Sequence, residues 1–116
     1  MYLISGEKKW TFYPPEAAAE LNPVFYDSLD PVFRVSDDVS ENVPHYSVRL
    51  KPGQLLFVPA GSPHRVENIK DSVAVSGNFV NQTNIDEAVK HFKINALLDP
   101  RTRDLLQELL DLNLVS

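Results

Sequence analysis

Gly53-Gln-Leu-Leu-Phe-Val-Pro59-Ala-Gly61-Ser-Pro-His64-Arg-Val-Glu-Asn68 is the stretch that decides the fold. Leu55 to Val58 reads as an apolar strand that Pro59 ends. Gly53 permits the tight turn before it, in Lys51-Pro-Gly53. Gly61 lets the chain reverse in Ala60-Gly-Ser-Pro63. His64 then opens a strand reaching Ile69, with His64, Val66 and Asn68 on one face and Arg65 and Glu67 on the other. An inward imidazole at that place can ligate a transition metal. A single histidine in an apolar strand also reads as a structural core residue.

Outward from this stretch the pattern stays β. Tyr46 to Leu50 alternates as a strand. Tyr2 to Ser5 reads as a short strand, Gly6-Glu7 as a turn, and Lys8 to Tyr13 as another strand. Asp71 breaks the chain after Ile69, and Ser72 to Val80 reads as the last strand. Six strands with short turns predict an antiparallel barrel or sandwich. Pro14-Pro15 stops the Lys8 strand, and Glu16 to Glu20 reads as a short helix with Pro15 near its first position. Leu21 to Pro44 is an irregular excursion. Asn84 starts a helix, with Glu87 completing a box-like cap, and Ile85, Val89, Phe92 and Ala96 recur on one side. Asp99-Pro100 caps a second helix bearing Leu105, Leu106, Leu109, Leu110 and Leu112.

The 116 residues fit one small domain, and 43% hydrophobic content is globular. Eleven basic residues against 16 acidic ones leave a net charge of −5, which argues against a basic-patch nucleic-acid binder. No apolar run approaches the roughly 18 residues of a membrane span. Without cysteine there is no disulfide framework and no thiolate site. These features predict an intracellular protein, cytoplasmic or nuclear.

Two further stretches could carry chemistry. Lys8, Trp10 and Phe12 share a face of their strand. Two aromatics mark that face as the inner one, where an unpaired ammonium is costly. An anionic ligand such as a carboxylate would resolve the cost; a position at the mouth, with the ammonium reaching water, would do so too. On the last strand Ser72, Ala74, Ser76 and Asn78 share a face. Small polar side chains leave room for a bound molecule to which Asn78 could donate, or they form an ordinary solvent-facing side.

The spacing Gly53, Pro59, Gly61, His64, Asn68 matches the second motif of the cupin superfamily. Together with Gly6-Glu-Lys8-Lys9-Trp10, Tyr13-Pro14-Pro15, Leu50-Lys-Pro52-Gly53 and Val75-Ser-Gly-Asn78-Phe79, it resembles the JmjC iron(II)/2-oxoglutarate oxygenases, the small protein-hydroxylase branch most closely. The resemblance covers residues 2 to about 82. It implies a cupin-like double-stranded β-helix (jelly roll), incomplete in this chain, at 1–82, and a C-terminal helical extension at 83–116. It implies iron(II) and 2-oxoglutarate as cofactors and a protein or peptide side chain as substrate, hydroxylated or demethylated. Residue by residue, His64 matches the distal histidine of the two-histidine-one-carboxylate iron triad. Lys8 matches the lysine that pairs with the far carboxylate of 2-oxoglutarate, and Asn78 a polar residue near that cosubstrate.

Two departures stand out. Ser62 and Pro63 occupy positions that are usually aromatic in the family. The His-x-Asp or His-x-Glu pair that completes the triad occurs nowhere in the chain. A rearranged site of His45, His64 and one of Asp37, Asp38 and Glu41 is the substitute the sequence offers, and His91 reads as a solvated helix residue. The chain is therefore expected to be inactive alone, with an open barrel edge beside Tyr2 to Ser5 and a tendency to self-associate there or through the C-terminal leucines. Those leucines could instead pack on the barrel. The alternative reading is a non-catalytic cupin-like binding or assembly module holding a small carboxylate on Lys8. A metal-dependent small-molecule cupin would need a motif the sequence lacks.

Overall fold

The computed structural model describes residues 1–26 and 31–112; the side chains of Asp37 and Asp38 lie outside the described residues. In chain order the elements are β1 (Tyr2–Phe12), a 3-10 helix (Pro15–Leu21), β2 (Pro23–Val24), β3 (Val32–Phe33), α1 (Asp37–Asn42), β4 (Tyr46–Leu50), β5 (His64–Val75), α2 (Ile85–Asn95) and α3 (Pro100–Asp111). β1 is the centre of an antiparallel three-stranded sheet, with β4 on one side and β5 on the other. β2 and β3 pair as a separate ladder. The chain forms two compact units, Met1–Pro23 with Phe33–Gly77, and Val24–Val32 with Asn78–Ser116.

Burial of one face builds the sheet unit. Trp10 and Phe12 are 4% and 5% exposed and stack at 5.8 Å between ring centroids. With Leu3 and Leu50 they form the core, and Met1, Leu56, Val58 and Ala74 pack against it. Strict alternation would put Leu3 on the face opposite Trp10. Register shifts between Leu3 and Lys8 correct the phase. Gly6 lies among them at φ 91°, in the left-handed region, and bends the strand as a bulge does. The expected Gly6-Glu7 turn is thus an irregularity inside one continuous strand. The expected break at Asp71 is absent for the same reason, since β5 bends with β1 and stays paired to it.

Three strand expectations are corrected. β5 ends at Val75, so Ser76 to Val80 lies beyond the strand. Leu55 to Val58 is not a strand: Leu55 makes one isolated bridge to Tyr2, and Leu56 N–H donates to the Met1 carbonyl at 2.8 Å. β4 occupies that edge of β1 from Lys8 onward, so the run meets β1 only at its start. Tyr2 and Leu3 are therefore flanked on both sides, and among the described residues the edges without a strand partner are the outer sides of β4 and β5.

The excursion holds more structure than expected. Pro15 opens the 3-10 helix, and Asn22 ends it with φ 51°. Tyr13, Ala17, Leu21 and Val43 form a second core, with Phe33 and Val35 against it. In the other unit α2 and α3 pack on each other. Asp99 caps α3 as expected, its Oδ1 accepting from Arg101 N–H at 3.0 Å. That bond holds the Asp99 carboxyl below its ordinary 3.8. The Asn84 cap differs: its side chain makes no bond to α2, and its Oδ1 accepts from Asn81 N–H at 2.7 Å. Leu109 is buried, whereas Leu105, Leu110 and Leu112 are exposed. Among the described residues no helix is long and apolar enough to cross a membrane.

Candidate functional site

The ladder register decides which side chains meet. Lys8 lies opposite Asn68 and Leu50, Trp10 opposite Val66 and Val48, and Phe12 opposite His64 and Tyr46. Directly opposed residues of an antiparallel pair point to one side. Lys8 and His64, singled out separately in the sequence, therefore share a face. They sit about 13 Å apart along the strand direction at about 3.3 Å per residue, with Trp10 between them.

His64 is held by aromatic contact and one hydrogen bond. Its ring centroid is 5.2 Å from that of Trp10 and 6.1 Å from that of Phe12. Nδ1 lies 2.8 Å from the Ser62 carbonyl oxygen. A carbonyl can only accept, so Nδ1 carries a proton, and in the neutral ring the lone pair is then on Nε2, the form in which an imidazole ligates a metal.

Lys8 Nζ donates to Asn68 Oδ1 at 2.7 Å. Asn68 was legible as the last position of the motif but not as the partner of Lys8; the common face of His64 and Asn68 was the available signal. The amide is neutral, so the positive charge of Lys8 is not cancelled by it and remains able to take a carboxylate. The buried Trp10, Leu50 and Leu3 give that charge an apolar floor. Trp10 Nε1 is buried without a hydrogen-bond partner among the described residues.

The face continues into a cleft of about 660 Å³, lined among others by Phe12, Tyr13, Pro15, Tyr46, Phe57 and Pro59. Tyr46 is 69% exposed and stacks on Phe12 at 5.4 Å. His45 lines this cleft too, but its Nδ1 donates to the Val43 carbonyl at 2.8 Å and its ring rests on Tyr13 at 5.8 Å. Among the described residues no three His, Cys, Asp or Glu side chains come together to hold a metal ion. The substitute site of His45, His64 and Glu41 is therefore not assembled, and the Asp37 and Asp38 side chains lie outside the described residues. His91 sits on α2, its ring 6.5 Å from that of Phe92. Ser72 is spent on the bulge, its Oγ donating to the Lys70 carbonyl at 2.7 Å. Asn78 is exposed, past the end of β5, in the second unit.

The opposite side of the sheet is charged and paired. Arg49 meets Glu7 at 3.2 Å and Arg65 meets Glu67 at 3.4 Å. Thr11 and Ser47 hydroxyls lie 3.2 Å apart. The separation of a polar from an aromatic side agrees with the alternation read from Lys8 to Phe12; on the aromatic side Trp10, Phe12 and Leu50 are buried, whereas His64, Val66, Asn68, Tyr46 and Val48 are exposed.

Comparison with known proteins adds an independent line. The family profile described as JmjC domain, hydroxylase, matches residues 1–79. The chain is 29% identical over 89 residues to the 2-oxoglutarate and iron-dependent oxygenase JMJD4 of Mus musculus, covering 71% of this chain and 21% of that protein. It is 32% identical over 95 residues to the JMJD4 homolog of Drosophila melanogaster, covering 79% and 21%. Against the arginine-specific demethylase JMJ20 of Arabidopsis thaliana it is 25% identical over 87 residues, covering 71% and 19%. The chain spans about a fifth of the length of these curated relatives. No solved structure matches it significantly.

Proposed function

The chain belongs to the JmjC-domain family, and from that membership we propose that its sheet is the portion of a double-stranded β-helix bearing the distal iron ligand, His64, and the cosubstrate lysine, Lys8. The parent chemistry is that of an iron(II)/2-oxoglutarate oxygenase acting on a protein or peptide side chain. The observation that carries this reading is the register: it puts Lys8 and His64 on one aromatic-floored face. Asn78 enters as a cosubstrate neighbour on the family pattern alone.

The fit to the two cofactors differs. His64 presents one ligand nitrogen, and the described residues bring no second or third ligand to it. They do not fit the triad, and no step through iron follows from them. The residues do fit a carboxylate. Lys8 is half-buried above Trp10 and Leu50, where water competes less for an anion. Asn68 holds the ammonium in place and can donate to the same ligand through its amide N–H groups.

Two outcomes test this. The purified 116-residue chain is expected to give no iron-dependent conversion of 2-oxoglutarate; conversion at enzymatic rates would overturn the inactivity. Calorimetry with 2-oxoglutarate is expected to show weak binding that Lys8→Ala reduces by roughly ten- to a hundredfold, the range for a lost charge-assisted hydrogen bond. Unchanged binding in Lys8→Ala would remove Lys8 from the site. The carboxylate fit without a triad also favours the second reading, a binding module. Binding that is equally tight with and without metal would select it over the oxygenase.

A further inference from the structure

The sheet sorts its charges between two sides. Glu7 meets Arg49, and Arg65 meets Glu67, on the polar side. Lys9 lies opposite both Arg49 and Glu67 in the ladder and belongs to that side too. Lys70 would break the rule in a regular strand, where it would share a face with Asn68, two residues before it. The register prevents this. Lys8 pairs with Asn68, but Glu7 pairs with Lys70, so β5 carries one extra residue, Ile69, between the two pairs. Directly opposed to Glu7, Lys70 takes the polar side. Among the described residues of the ladder from Lys8 to Phe12, Lys8 is then the one Lys, Arg, Asp or Glu on the aromatic side.

What faces Lys8 then decides what the site can hold. An ammonium only donates, so the 2.7 Å contact turns the Asn68 amide with Oδ1 on Lys8 and its two N–H bonds elsewhere. No acceptor among the described residues takes those N–H groups. We propose that Asn68 is the specificity-determining residue of this subsite: its amide anchors the ammonium without neutralising it and donates to the same ligand, which selects a carboxylate. The inference rests on the reading of Lys8 as the carboxylate-binding lysine.

Alternatives at position 68 show why the amide matters. A carboxylate there would keep the shape and the contact with Lys8, but it would cancel the charge and present acceptors alone. An apolar side chain would keep the charge and lose both the anchor and the second donor. The bulge makes this choice decisive. A second cation beside Lys8 would attract an anion whatever stood at position 68, and the extra residue Ile69 sends Lys70 to the other side. Glu7 and Glu67, the acids nearest to the pair in sequence, are held on that other side by Arg49 and Arg65.

The test is heteronuclear NMR titration of the full 116-residue chain with 2-oxoglutarate, the same spectra reporting that each variant is folded. The side-chain N–H signals of Asn68 are expected to shift as the ligand is added to the wild type. Asn68→Asp is expected to raise the dissociation constant roughly tenfold or more with the fold kept, since its contact with Lys8 becomes an ion pair. Asn68→Leu is expected to raise it less, roughly three- to tenfold, the range for a lost neutral hydrogen bond. A purely structural Asn68 predicts the opposite order: the Asp variant, which keeps the brace, would bind like the wild type and the Leu variant worst. That order would overturn the proposal, and so would Asn68 signals that stay fixed while others move. Lys8→Ala separates the two levels. Loss of binding in Lys8→Ala with wild-type binding in Asn68→Asp removes the role of Asn68 alone. A wild type that does not respond, or a Lys8→Ala protein that binds like it, removes the reading of Lys8 and this inference together.

Discussion

Gly6→Ala is expected to abolish the cooperative fold of the sheet unit. Gly6 has φ 91°, a conformation that costs a residue with a Cβ about 1–3 kcal/mol. The added carbon would also collide with the Asp71 carbonyl oxygen and the Ser72 hydroxyl, and would sit 2.7 Å from Ser72 Cα. Two of those atoms are backbone of the paired strand, so no side-chain rotation relieves them. The ladder must open at the bulge, and the bulge is what brings Leu3 onto the Trp10 face. Total stability of a domain this size is about 5–15 kcal/mol, so the strain leaves little margin once the collision opens the ladder. Far-UV circular dichroism and urea titration measure the effect. Gly77→Ala is the control, since a Cβ there meets nothing within 4 Å. A Gly6→Ala protein that unfolds within about 1 kcal/mol of wild type would show that the bulge tolerates a side chain.

Trp10→Ala is expected to cost about 3–5 kcal/mol, the range for removing a buried aromatic. Trp10 is 4% exposed and touches both the core and the ring of His64. Trp10→Phe is expected to cost far less, within about 1–1.5 kcal/mol, because volume is largely kept and the lost N–H had no partner. Burying that donor unpaired is itself unfavourable, so its removal offsets part of the smaller ring's lost contact. Urea unfolding followed by circular dichroism compares the two; fluorescence cannot, since the chain has one tryptophan. Equal losses for both variants would mean that Nε1 is hydrogen-bonded in solution.

Much of the site was legible because alternation is local. Lys8, Trp10 and Phe12 fall on one side of a strand whatever it pairs with, and so do His64, Val66 and Asn68. That the two sets share a side depends on the register of β1 with β5, which no local pattern reveals. The match of the Lys8 strand and the His64 motif to one family supplied that link before the geometry did. The link between Lys8 and Asn68 was hidden for the same reason.

The misreadings were also matters of pairing. Leu55 to Val58 has the composition of a strand, yet a strand needs a neighbour along its length, and β4 takes most of that edge of β1. Gly6 and Asp71 look like turn residues, and each would end a strand considered alone. They lie opposite each other at the bulge, so both strands bend and neither stops. Asn84 has the right residue type and spacing for a cap on α2, but the Asn81 N–H competes for its side chain and holds it.

The wide sequence separation of the sheet's partners has a kinetic consequence. The Lys8–Asn68 bond spans 60 residues, and the Leu56 N–H bond to the Met1 carbonyl joins the start of β1 to the stretch after β4. During synthesis β1 emerges before β5, its longest partner, which follows only after β4 and the stretch leading to His64. At about 5–20 residues per second, β1 waits several seconds with Trp10 and Phe12 uncovered. Closure of that loop must precede the contacts that reward it, so formation of the sheet falls in the slow, millisecond-to-second regime of non-local β folds.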